Sequence, residues 1–344
     1  MSRKFYLFLA LLIVASMALA ACGGATEAEP DCASEDVLCV GLVTDVGEVD
    51  DKSFNQASWE ALQQAETELG AMIDYVETKD AKDYAENMGI FIDAGYDVVV
   101  TSGAALGEAT KAAALANPDV HFIGVDQPEG ADVPNFTGVL FKEDQAGFMA
   151  GALAALLTQT DVVAGVYGTD IIIPVVAFNE GYAAGAKYIN PDITVISTYH
   201  PGGLDVAFTD PEWGATTAAQ AIDNGADVIF GAGGKTGNGA LIEVAGHEGL
   251  YCIGVDQDQW YTVPEAHSCL VSSAIKAITP SVFAMIQAYV DGDTPEGNFY
   301  GIAGLAPYHD FEDVIPDDVK AQVEQIGAGL QDGTIETGWV APES

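Results

Sequence analysis

A chain of 344 residues, 49% apolar and with 38 glycines, is long enough for two α/β domains with proper cores and too apolar for a disordered protein. Its 52 acidic against 11 basic residues give a formal charge of −41, which argues against nucleic acid or anionic lipid as a partner of the folded body. Its lone arginine is Arg3, so the planar fork that usually grips phosphates is missing and a neutral or cationic small ligand is favoured.

Arg3 and Lys4 precede an apolar stretch, Phe5 to Ala21, that ends in Leu19-Ala20-Ala21-Cys22. A basic start, an apolar middle and small residues before a cleavage point predict a secretory signal over 1–21. No later apolar run is long enough to span a bilayer. Residues 22–37 are small, acidic and unpatterned, as a tether would be. Without residues 1–21 the chain keeps nine lysines against its 52 acids, a formal charge of −43. Export permits disulfides among Cys32, Cys39, Cys252 and Cys269. The pairs Cys32–Cys39 and Cys252–Cys269 would be local, but four cysteines allow three connectivities and the spacing does not choose. No Cys-x-x-Cys or clustered histidine accompanies them, so no metal site is expected.

Short apolar runs then alternate with helical periodicity. Strands are predicted at Leu38–Val43, Met72–Val76, Asp97–Val100, Val120–Ile123 and Phe136–Leu140, with helices near Ser53–Leu69, Lys82–Asp93, Leu106–Ala116 and Asp144–Leu157. The cycle restarts with strands at Val162–Tyr167, Ile193–Ser197, Asp227–Phe230, Tyr251–Gly254 and Cys269–Ser273. Helices are expected at Val175–Ile189, Gly214–Asp223, Asn238–His247, Ile275–Val290 and within 317–333. Continuous apolar strands alternating with helices indicate parallel sheets covered on both faces.

The restart is also written in the letters. Asp93-Ala-Gly95-Tyr-Asp97 returns 130 positions later as Asp223-Asn-Gly225-Ala-Asp227, and Ile123-Gly-Val-Asp126-Gln127 returns at the same offset as Ile253-Gly-Val-Asp256-Gln257. The fold class expected is therefore α/β, two doubly wound parallel-sheet lobes joined by crossover strands with a ligand cleft between them. The crossings are placed near Phe141–Asp144, Ser272–Lys276 and Gly304–His309. Lobe one is then 38–141 plus 275–305, and lobe two 142–274 plus 306–344. Ligands of open parallel sheets collect at the carboxyl ends of strands, which makes Asp126 and Asp256 matched cleft residues.

Two enzyme-like segments fail on inspection. Thr44-Asp45-Val-Gly47-Glu-Val-Asp50-Asp51 is similar to the calcium-binding Asp cluster of nucleoside hydrolases, but Val43 replaces the leading Asp and the spacing is one residue too long. Gly231-Ala-Gly233-Gly234-Lys235-Thr236 suggests a phosphate loop, yet Ile229 stands where the opening glycine belongs. It reads instead as a turn offering N–H groups at a helix N-terminus. The five histidines are scattered, without a zinc or nucleophile motif. A non-enzyme without cofactor is expected.

Asp50-Asp51-Lys52-Ser53-Phe54-Asn55-Gln56, followed by Trp59, is the most specific segment. Asp51 or Ser53 can cap the helix, and Asn55 and Trp59, four apart, fall on one helix face. The Asp-Lys-Ser-Phe-Asn-Gln-x-x-Trp pattern resembles the hallmark of the basic membrane protein family of ABC-transporter binding lipoproteins. Ile173-Pro174 through Gly185, Gly254-Val-Asp256-Gln-Asp258 and Ser272-Ser-Ala-Ile-Lys276 are similar to its further signatures, although Ala277 stands where a basic residue is commoner. The Leu-Ala-Ala-Cys ending resembles a lipobox, with Cys22 lipidated. The resemblance runs over about 38–340 and implies a type I periplasmic-binding-protein fold that captures nucleosides, often purine nucleosides, for an ABC permease. It implies that Trp59 and Phe178 sandwich the base and that Asn55, Asp51 and Asp126 bond its heteroatoms. The turn at Gly231 and Gly233, with Asp256 and Lys276, would hold the ribose hydroxyls, and Lys276 would balance Asp256. The protein would then sit lipid-anchored on the extracytoplasmic face of the cell membrane. A sugar-binding or sensory lipoprotein of the same fold is the alternative.

Overall fold

The computed structural model describes residues 32–34, 37–128 and 132–342. The expected signal at 1–21, Cys22 and most of the tether lie outside the described residues. In chain order the first lobe runs β1 (Cys39–Val46), α1 (Phe54–Leu69), β2 (Met72–Thr78), α2 (Tyr84–Asp93), β3 (Val98–Ser102), α3 (Gly107–Ala116), β4 (His121–Val125) and β5 (Phe136–Leu140). The chain crosses into the second lobe with α4 (Glu143–Leu157), β6 (Val162–Tyr167), α5 (Ile173–Ile189), β7 (Thr194–Tyr199), α6 (Pro211–Asp223) and β8 (Val228–Ala232). There follow α7 (Gly234–Ala245), β9 (Tyr251–Asp256), α8 (Gln259–Thr262) and β10 (Leu270–Lys276). Helix α9 (Ile278–Asp291) and β11 (Gly297–Tyr300) return to the first lobe, and β12 (Ala303–Leu305) and α10 (Asp317–Asp332) end in the second.

Two six-stranded sheets result, ordered β11-β5-β4-β3-β1-β2 and β12-β10-β9-β8-β6-β7. The pairings are parallel, except that β12 runs antiparallel to β10, with Ala274 opposite Leu305 and Lys276 opposite Ala303. Alternate residues of each strand feed opposite cores. Val98 and Val100 of β3 pack with Leu62 of α1 and Ile286 of α9 on one face. Val99 between them packs with Met88, Phe91 and Leu106 on the other. This two-sided burial is why the central strands are continuously apolar. The Cys32–Cys39 and Cys252–Cys269 bonds are both formed.

The structure moves three expectations. Strand β10 continues through Lys276, so α9 begins at Ile278 and not at 275. Helix α7 begins at Gly234, which reduces the supposed glycine turn to Gly233. Strands β11 and β12 were not anticipated, because four and three residues carry no readable period. With β12 in the second sheet, the third crossing is at 301–302, earlier than the 304–309 expected. The linkers lie side by side, the Gly301 N–H donating to Leu140 O and the Ala277 N–H to Ile302 O, each at 2.8 Å.

Helices α4 and α5 touch backbone to backbone. A methyl group on Gly151 would stand 1.9 Å from Tyr182 O, and one on Gly185 1.9 Å from Phe148 O. The same close approach recurs at Gly147, where a methyl group would stand 2.4 Å from Phe178 O. Gly151→Ala is expected to force the pair apart and cost about 1–3 kcal/mol, read as a lowered urea midpoint. An unchanged midpoint would show that the helices slide freely.

Candidate functional site

The carboxyl ends of β1, β3, β4, β8, β9 and β10 converge on a cavity between the lobes. Its volume of ≈ 70 Å³ is several times the ~10–15 Å³ that holds one water, so it accommodates a small organic molecule. The first lobe contributes Asp45, Asp51, Phe54, Asn55, Gly103, Ala104 and Asp126. The second contributes Ile172, Pro174, Val175, Phe178, Phe208, the stretch 232–234, Val255, Asp256 and Lys276.

The repeat has a backbone meaning. Asp126 and Asp256 each end a strand with positive φ, +61° and +66°, in the left-handed region that Asp tolerates better than most side chains. Both turns aim a carboxylate into the cavity from opposite lobes. Lys276, at the end of β10 and 3% exposed, stands between them. Its ammonium donates to Asp126 Oδ2 at 2.6 Å and lies 3.7 Å from Asp256 Oδ1 and 3.5 Å from Glu143 Oε1. Burial alone would push the Lys276 ammonium down; Asp126, Asp256 and Glu143 more than reverse that and hold it charged. Burial pushes the Asp256 carboxyl up, against the pull of Lys276 and the Ser53 hydroxyl. Burial likewise raises Asp45 to about 6, opposed by the Asn55 amide.

Asp51 is the cap of α1. Its Oδ1 accepts from the Ser53 and Gln56 N–H groups at 2.8 and 3.1 Å, and its Oδ2 from the Asn55 N–H at 2.9 Å. With both oxygens engaged, Asp51 orients the helix start and leaves Asn55 to face the cavity. The Asn55 Nδ2 donates to Asp45 Oδ1 at 3.0 Å. Because an ionised carboxylate only accepts, this bond settles which end of the amide points inward. The Asn55 Oδ1 and Asp126 Oδ1 atoms are buried without a hydrogen-bond partner among the described residues.

The described lobes are closed on each other. The main-chain oxygens of Asp51, Lys52 and Ser53 accept from Asn238 Nδ2 (2.7 Å), Gln259 Nε2 (2.9 Å) and Gln257 Nε2 (3.2 Å) of the facing lobe. Ser53 Oγ donates to Asp256 Oδ2 at 2.6 Å, and Lys235 pairs with Glu48.

Asp51, Asn55, Asp126, Phe178, Gly233, Asp256 and Lys276 thus line one cavity, whereas Trp59 and Gly231 do not. Trp59 lies one turn down α1, beyond the rim, edge-on to Tyr75 at 4.9 Å between ring centroids. The aromatic ring at the helix start is Phe54, whose centroid is 4.5 Å from Lys276 Nζ, with Phe178 at 5.7 Å. Gly231 is inside β8, pressed against Gly237 O of α7. Sequence reasoning missed Phe54, although it sits inside the hallmark segment, and dismissed Asp45 with the hydrolase motif. It also missed Glu143 and Phe208. A carboxylate beginning a long apolar helix was a usable signal for Glu143, while Phe208 lies in an irregular loop that offers none.

Among the described residues, no helix is long and apolar enough to cross a membrane. Comparison with known proteins gives a concordant picture. A CD4+ T-cell-stimulating antigen of Listeria monocytogenes is 31% identical over 97% of this chain and 98% of that protein. Basic membrane protein A of Borreliella burgdorferi is 31% identical over 84% of this chain and 81% of its own. An ABC transporter nucleoside-binding protein, BmpA, of Lactococcus lactis subsp. cremoris is 33% identical over 65% of each. A solved ABC-transporter solute-binding protein from Aeropyrum pernix K1 shares the fold at a TM-score of 0.76 and 22% identity, covering 89% of this chain and 94% of that one. The family model described as ABC transporter substrate-binding protein PnrA-like matches residues 39–304, and the chain belongs to that family, the Bmp family.

Proposed function

We propose that this substrate-binding protein captures nucleosides, purine nucleosides above all, in the interlobe cleft and presents them to an ABC permease. The observation that carries the reading is the pair of buried acceptors without partners among the described residues, Asn55 Oδ1 and Asp126 Oδ1, beside Phe54 and Phe178. Such atoms call for a ligand that donates N–H or O–H, and the rings call for one with an apolar face. A nucleoside offers both. Asn55 and Asp126 would accept from the base, with Asp51 holding Asn55 in place and Phe54 and Phe178 contacting the rings. Asp256 and Lys276, with the backbone at Gly233, would hold the ribose hydroxyls. The nucleoside-binding name of the Lactococcus relative supports this assignment. Anchoring through a lipidated Cys22, on the extracytoplasmic face of the cell membrane, completes the proposal.

A thermal-shift screen of the mature protein against nucleosides, free bases, pentoses and nucleotides tests it, because a ligand that binds only the folded state raises the melting temperature. Nucleosides are expected to raise it most. A response to sugars alone would overturn the assignment.

A further inference from the structure

Glu143 stands where no ligand-contact argument places it. It is the first residue of α4, directly after the 141–142 crossing, and it is 8% exposed. Its Oε1 is 3.5 Å from the ammonium of Lys276, the last residue of β10 before the second crossing at Ala277. A carboxyl from one linker therefore meets an ammonium from the next, and Phe141 of the same linker lies 5.6 Å from Nζ. The third linker is hydrogen-bonded to Ala277 and to Leu140, the residue just before the first linker. We propose that Glu143 is a positioning residue that carries a proton at neutral pH and couples the interlobe hinge to the Lys276 ammonium of the ligand site.

Three buried carboxyls surround one ammonium. With all three ionised, the cluster would hold two uncompensated negative charges away from water, which is strongly unfavourable. Geometry says where a proton goes. Asp126 makes the short 2.6 Å bond to Lys276, and Asp256 accepts from Ser53 Oγ at 2.6 Å, so each already has a close donor. Glu143 has the longer contact to Lys276 and, besides it, its own main-chain N–H. Burial first, and the nearby Asp126 next, push the Glu143 carboxyl up to about 8 against the pull of Lys276. The other charged groups nearby are Asp45 on the cavity wall and the flanking Lys142 and Asp144. Lys142 is exposed, and Asp144 accepts from Thr337 Oγ1 at 2.5 Å. A neutral Glu143 leaves Lys276 aimed at the two aspartates. An ionised one draws it toward the hinge, and a ligand that seals the cavity makes that extra charge costlier.

Two measurements test this on the mature protein, and the second rests on the nucleoside reading. In urea unfolding, a carboxyl raised in the folded state stabilises fully below its unfolded value and loses that contribution as pH rises through its folded value. The unfolding constant of wild type relative to Glu143→Gln should therefore climb from pH 5 to 8, by up to about tenfold per pH unit, and level off above. In calorimetric titration with adenosine, which stays uncharged from pH 5 to 9, Glu143→Gln should bind within about threefold of wild type at pH 7. Wild type should then weaken about tenfold by pH 9 while the variant does not, the size expected of one proton lost over the unit above pH 8. A pH-independent unfolding ratio, or the same alkaline weakening in both proteins, would overturn the proposal. If wild type binds no nucleoside, the nucleoside reading fails and the unfolding ratio alone decides the role of Glu143.

Discussion

Lys276→Met is expected to abolish ligand binding and to destabilise the protein by about 3–5 kcal/mol, the usual cost of removing one partner from a buried ion pair. The loss is large because the ammonium is the common counter-charge of Asp126, Asp256 and Glu143. Methionine fills the space but leaves carboxylates facing each other with no water to screen them. Urea unfolding at pH 7 would measure the loss. Adding Asp126→Asn to Lys276→Met should recover part of the stability without recovering binding. Separate recovery of the two properties would show that one residue serves both the packing of the closed lobes and the recognition of the ligand. A Lys276→Met protein within about 1 kcal/mol of wild type, the size of a single exposed ion pair, would mean that the cluster is solvated and the cleft is not closed as described.

The second large effect concerns the ligand. A nucleoside 5′-monophosphate is expected to bind at least about a thousandfold more weakly than its parent nucleoside. The cavity presents the carboxyls of Asp45, Asp51, Asp126 and Asp256, and Lys276, the one cation among its described lining residues, is already engaged. One added negative charge about 6 Å from one ionised carboxylate costs about 3 kcal/mol at an effective dielectric constant near 20, roughly a hundredfold in affinity. A phosphate brings nearly two such charges. Calorimetric titration with inosine and with inosine 5′-monophosphate in one buffer makes the comparison. Affinities within tenfold of each other would show that the phosphate reaches outside the cavity or that the aspartates are neutral.

Much of the site was legible because its parts are local. Asp126 and Asp256 are found from the letters alone, since a strand-to-turn junction is a short-range feature and the chain repeats it at a fixed offset. Asn55 and the Asp51 cap are also local, set by hydrogen bonds that span at most five residues. Trp59 shows where local reasoning stops. Sharing a helix face with Asn55 does not bring it to the cleft, because a turn of helix advances about 5.4 Å, enough to carry the indole past the rim and against Tyr75.

What the sequence determined by itself is the alternation of apolar strands and helices, the two-lobed plan and the placing of matched carboxylates at strand ends. These follow from side-chain periodicity and turn chemistry, which act over a few residues. The tertiary structure alone decided which aromatic rings face the cavity, how the facing lobe grips the carbonyls of Asp51, Lys52 and Ser53, and that Glu143 joins the Lys276 cluster. Those contacts join residues from 133 to 207 positions apart. No window of the sequence spans such separations, and they form only when two cores, each packed on its own, close against each other.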